Sequence, residues 1–167
     1  MRILDPKFNQ NKASYFLQSL LATLAIFVVL ILLDARTNSA VIAALGASSF
    51  IAFTMPHAEL SQPKFLIGSY LLGIISAGIC YYLSILPFIK QIPFVSDFSC
   101  IIFGSIAVGL VIFLMVITNT EHPPAASLAL GLVFNLFNLK SVFIVFSGIV
   151  CLSIIKAILK PVLKDLI

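Results

Sequence analysis

The run Thr120-Glu121-His122-Pro123-Pro124-Ala125-Ala126 places an acid, an imidazole and two prolines between long apolar stretches. Ionisable groups near membrane depth are expensive and mark functional sites by default. A residue before proline is pushed out of the helical region, so His122 and Pro123 are expected to be extended. Pro124 then suits the first turn of a new helix, where its missing N–H would go unpaired anyway. That helix would present the free N–H groups of Ala126 and Ser127. Its N-terminus carries about half a positive charge and is a natural anion seat.

His122 beside this seat can donate, accept or titrate near neutral pH. Thr118, Asn119, Thr120 and Ser127 add neutral donors, so the set suits a small oxyanion. Glu121 opposes it. A carboxylate there would repel an anion, but it can pair with His122, bind a cation or relay a proton. The competing reading is a structural cap joining two helices, with no substrate. A similar inventory, Pro56-His57-Ala58-Glu59-Leu60-Ser61-Gln62-Pro63-Lys64, follows another short apolar run. His57 and Glu59 there read as solvated loop residues. Pro63 is expected to open a helix, whose start Lys64 disfavours by its charge.

The elements that must hold these residues read as lipid-embedded helices. Of the 167 residues 61% are hydrophobic and only 10% charged, and mean hydropathy is +1.18, whereas soluble domains are about half apolar and a quarter charged. Runs at 14–33, 64–86, 99–118 and 141–159 are long enough to cross about 30 Å of hydrocarbon. Two shorter runs, 40–55 and 123–137, are marginal for a crossing. They are rich in small residues, including Ala43, Gly46, Ser48, Ser49, Ala125, Ala126 and Gly131, which let membrane helices approach closely. The short helices are therefore expected at the centre, with the longer ones outside.

The long–short–long order occurs twice, giving half-repeats at about 14–86 and 99–160 within one transmembrane domain. Thr37-Asn38 before the first short run echoes Thr118-Asn119 before the second, and Ala44-Leu45-Gly46 echoes Ala129-Leu130-Gly131. The expected architecture is an all-α polytopic bundle of about six helices in two inverted halves, as recurs in transporters. Re-entrant short runs, giving four crossings and parallel halves, are the alternative.

The net charge of +4 is no nucleic-acid signature, because the positives gather at the ends: Arg2, Lys7 and Lys12, then Lys156, Lys160 and Lys164. This predicts cytoplasmic termini, with the lysines snorkelling to headgroups. The first apolar run is too long for a signal-peptide core and is expected to stay as a span. In the absence of tryptophan, Tyr15, Tyr70, Tyr81 and Tyr82 can serve as interfacial aromatics. Asp34 and Arg36 are expected to pair at the interface. Cys80, Cys100 and Cys151 have no metal or disulfide spacing. With no nucleophile–base–acid set, phosphate loop or paired carboxylates, neither catalysis nor a cofactor is expected.

Residues 120–131, together with Gly46-Ala47-Ser48-Ser49-Phe50, Met55-Pro56-His57, Ser61-Gln62-Pro63-Lys64 and Ile67-Gly68, resemble the HPP family of integral membrane proteins. The likeness covers nearly the whole chain in order. Lys64 stands where the family usually has arginine, and Ser69-Tyr70 where it often has Gly-His. The resemblance implies a transport protein, with nitrite proposed for some photosynthetic members. The resulting expectation is a homo-oligomeric transporter or channel for a small inorganic anion, in a prokaryotic-type plasma membrane. His122, Pro123, Pro124, Asn119, Thr118, Ser127 and Ala126 would contact the anion, with His57, Lys64, Asn38, Ser48 and Ser49 as secondary positions. The rivals are a proton- or cation-coupled carrier relaying through Glu121 and His122, a membrane scaffold, and a lipid-binding or intramembrane enzyme.

Overall fold

The computed structural model describes residues 8–33 and 39–166; Arg2, Lys7, Asp34, Arg36, Thr37 and Asn38 lie outside them. The described residues form helices α1 (Phe8–Leu32), α2 (Ser39–Thr54), α3 (Pro63–Ser84), α4 (Pro87–Lys90), α5 (Pro93–Asp97), α6 (Ser99–Thr118), α7 (Pro124–Phe134) and α8 (Leu139–Leu159), plus a 3-10 turn at Glu59–Ser61. Four are long and apolar enough to span a membrane: α1 from Asn11, α3, α6 and α8. The chain is thus an all-α, multi-pass membrane bundle, and α2 and α7 are its two shorter apolar helices. The one-turn helices α4 and α5 lie in the connection between α3 and α6. Each opens with a proline at its first turn, where no donor is wasted.

Side-chain contacts fix the direction of each helix. Gln18, near the start of α1, donates to Phe53 O at the end of α2 (2.6 Å) and to Lys164 O beyond α8 (2.8 Å), and accepts from Lys164 N (3.0 Å). Tyr15 donates to Leu166 O nearby. Both described ends of the chain therefore lie at one end of the bundle. Gly68, early in α3, lies against Thr120 just beyond α6, also at that end. At the opposite end, Gly78 of α3 and Gly104 of α6 meet Phe137 and Phe134, at and just past the end of α7. Successive long and short helices thus run antiparallel.

At 1.5 Å per residue, the 16 residues of α2 cover about 24 Å and the 11 of α7 about 17 Å. A non-helical stretch separates α6 from α7. α6 ends in a Schellman motif. Asn119 takes the left-handed conformation (φ 50°, ψ 56°), with Asn119 N bonded to Val116 O and Thr120 N to Met115 O. Asparagine tolerates that conformation better than most residues.

The short helices occupy interior positions. α7 packs on α2, α3 and α6, and α2 on α1, α7 and α8. Each also keeps an open face: Ala43, Gly46, Ala47 and Phe50 on α2, and Ser127, Leu130 and Phe134 on α7. Tyr70 is fully buried and so is no interfacial anchor. Tyr81 and Tyr82 instead cluster with Phe137 at the end away from the termini.

Candidate functional site

The junction after α6 is built by its own backbone first. Pro123 is helical (φ −50°, ψ −36°), not extended as the pre-proline rule suggested. Two tight bonds, Ala125 N to His122 O and Ala126 N to Pro123 O (both 3.0 Å), begin the turn at His122. The diproline accepts this because both fixed φ values suit a helix start and neither residue has an N–H to lose. Ala126 N–H is therefore occupied within the turn and is not a free donor.

His122 is wholly buried, and both ring nitrogens are engaged. Nδ1 lies 3.1 Å from Leu60 O in the α2–α3 connection, and Nε2 lies 2.8 Å from Ser48 Oγ on α2. Ser48 Oγ in turn lies 2.7 Å from Tyr70 OH on α3. A carbonyl can only accept, so in the neutral ring Nδ1 carries the proton; this tautomer is assigned from its partners. The chain of donors then runs one way: Tyr70 O–H to Ser48 Oγ, Ser48 O–H to His122 Nε2, His122 Nδ1–H to Leu60 O. Tyr70 and His122 also face each other, with ring centroids 6.1 Å apart. Four segments from both halves of the sequence meet in one closed polar chain.

A second buried base grips the same turn. Lys156, on the last part of α8, is only 3% exposed and donates from Nζ to Ser61 O at 2.9 Å. It does not snorkel, in contrast to its reading as a headgroup anchor, because α8 turns it inward onto the loop. Lys160 and Lys164 do lie exposed. Ser61 is itself buried, and its hydroxyl reaches Pro56 O and Ala58 O, both at 3.0 Å.

Of the residues expected to meet an anion, His122 and Pro124 lie inside the bundle and Ala126 is half-buried, whereas Thr118, Asn119, Pro123 and Ser127 are exposed, as is Glu121, the expected relay. Thr118 Oγ1 lies 2.7 Å from Thr120 Oγ1. Glu121 does not pair with His122, and among the described residues it has no ion-pair partner. It borders an apolar cleft of about 300 Å³ with Ile112, Met115, Val116, His122, Pro123 and Ala126. Ser127 lines a different cleft of about 420 Å³ between α2 and α7, with Ser39, Ala43, Leu130, Gly131, Phe134 and Asn135.

Among the secondary positions, Ser48 joins the buried chain. Ser49 instead bonds back to Gly46 O. Half-exposed His57 meets Asp165 through both its backbone N–H (3.0 Å) and Nδ1 (3.6 Å). Exposed Lys64 opens α3 and lies 5.4 Å over the Phe65 ring.

Sequence reasoning missed Tyr70, Gln18 and Lys156 as site or anchoring residues. The signal for each was a polar group inside a helix whose neighbours were apolar. A family model described as HPP, transmembrane region, matches residues 8–164. No curated protein and no solved structure matches the chain.

Proposed function

Because the chain belongs to the HPP family of integral membrane proteins, we propose that it passes a small inorganic anion of the nitrite type across the bilayer, rather than catalysing a reaction. The observation that carries this reading is the buried chain Tyr70–Ser48–His122–Leu60 at the meeting of α2, α3 and α7. Polar groups buried among the apolar helices of a membrane bundle are costly and concentrate where ions or protons move. Fully satisfied, the chain leaves no room for a solute, so this is the closed arrangement. Passage requires the Leu60 turn to part from His122, freeing an N–H for the anion.

Further support comes from the helix directions. Successive helices run antiparallel and the order long–short–long occurs twice, a pattern that inverted-repeat carriers share. The lysines Lys12, Lys64, Lys156, Lys160 and Lys164 gather at the end that holds both described ends of the chain, which favours a cytoplasmic position for that end. The open faces of α2 and α7, with Ala43, Gly46, Ala47 and Ser127, suit packing against another copy.

Purified protein in liposomes, challenged with nitrite, nitrate, formate and chloride, tests the proposal. Saturable oxyanion flux that His122→Ala abolishes is expected; flux no greater than empty vesicles would overturn it. The completeness of the polar chain favours one rival, a membrane scaffold. Under it, His122→Ala would lower stability while wild-type vesicles stay tight to every anion.

A further inference from the structure

We propose that Lys156 is the cation that binds the anion beside His122, an inference that rests on the transport reading and identifies the charge in its site. Lys156 was read from the sequence as a surface anchor, yet it is 3% exposed. An ammonium has three donors, and one bond is found, to Ser61 O at 2.9 Å. Among the described residues the one ion pair is His57–Asp165, so Lys156 has no carboxylate in direct contact, and Asp165 acts on it only from beyond ion-pair distance. A buried charge is stable only when paired and hydrogen-bonded. Lys156 is therefore a buried cation with one direct acceptor and no counter-charge in contact.

The place of that deficit is informative. Ser61 follows Leu60, whose carbonyl takes the proton on His122 Nδ1. Two basic side chains, one from the α6–α7 junction and one from α8, thus hold consecutive carbonyls of one 3-10 turn. The turn offers them backbone oxygens in the positions where an anion's oxygens would be wanted. When it shifts, imidazole and ammonium lose their acceptors together. A monovalent oxyanion then supplies two oxygens and a negative charge in direct contact. This accounts for a lysine rather than a neutral donor: a clamp for the turn needs only one N–H, whereas the anion needs the charge.

The test uses the full-length chain in detergent and in liposomes, with sodium nitrite as probe and gluconate holding ionic strength constant. Nitrite is expected to raise the unfolding temperature of the wild type in a saturable way. Lys156→Gln, which keeps a donor for Ser61 O, should abolish that shift and raise the KM for nitrite flux at least tenfold; Lys156→Arg should restore most of both. If Lys156→Gln does not fold, acylation of the wild type with mass-spectrometric mapping decides. Nitrite should then slow modification of Lys156 at least threefold, but not of Lys160 or Lys164.

Lys156→Gln with an unchanged nitrite shift and KM would overturn the site while leaving transport intact. A nitrite shift lost in Lys156→Gln without wild-type flux would keep the site and overturn transport. No nitrite effect on wild-type stability, acylation or flux would overturn both.

Discussion

Ser48 and His122 stand 74 residues apart in the chain, yet Ser48 Oγ lies 2.8 Å from His122 Nε2. The serine is a relay: it accepts from Tyr70 and donates to the imidazole, so α2, α3 and the α6–α7 junction share one polar chain. Whatever moves His122 must break or carry this bond.

The direction of that chain ranks its members. Ser48→Ala strands a donor on Tyr70 and an acceptor on His122, and should cost about 2–4 kcal/mol, each stranded buried group costing about 1–3. Tyr70→Phe removes only the terminal donor and should cost about 1 kcal/mol. Once Ser48 is gone the tyrosine hydroxyl has no partner, so the double variant should be no worse than Ser48→Ala. Thermal unfolding of the four proteins in detergent gives the coupling, expected at about 1–2 kcal/mol. Additive losses would contradict the relay.

Close approach of α3 and α7 is carried by Gly73. A Cβ there would stand 2.9 Å from Ala125 O, a backbone atom that cannot swing away, whereas a Cβ at Gly109 meets nothing within 4 Å. Gly73→Ala should therefore destabilise by about 1–3 kcal/mol. Gly109→Ala should stabilise by up to about 1 kcal/mol through helix propensity. The pair differ by the same methyl group, so their unfolding temperatures should move in opposite directions.

Leu136 ends α7 with φ 55°. Its N–H bonds Val133 O while Phe137 N bonds Leu132 O, the same cap that Asn119 forms on α6. A leucine pays about 1–2 kcal/mol for this conformation, and its side chain is 67% exposed. Leu136→Gly should raise stability by about 1 kcal/mol, measured by the same unfolding experiment. A loss would mean that the exposed side chain has an apolar partner in the membrane.

Much of the fold was legible because membrane helices must satisfy their backbones internally, so apolar run lengths alone delimit them. The run at 99–118 coincides with α6, and those at 64–86 and 141–159 differ from α3 and α8 by at most two residues at either end. Pro63 and Pro124 opened their helices as expected, since each sits where no donor is needed. The site was less legible. Near-uniform apolarity hides which helix face is inward, so nothing in the sequence turned Tyr70 toward Ser48 or Lys156 toward Ser61. His122 was found by its cost at depth, but its partner Leu60 O is a backbone atom that no residue type announces. Pro123 was misjudged because the pre-proline restriction is a bias, and the tight bonds from Ala125 and Ala126 outweigh it here.

The proposed permeation requires the polar chain at His122 to open to water when the Leu60 turn parts from it, and chemical access to Ser48, which bonds His122, measures that opening directly. In a background with Cys80, Cys100 and Cys151 replaced by alanine, Ser48→Cys should be modified by a small hydrophilic thiol reagent in liposomes, although Ser48 is fully buried here. Saturating nitrite should slow that modification at least fivefold. A thiol that stays unmodified for hours with or without nitrite, in vesicles that still pass the anion, would contradict passage through the His122 junction.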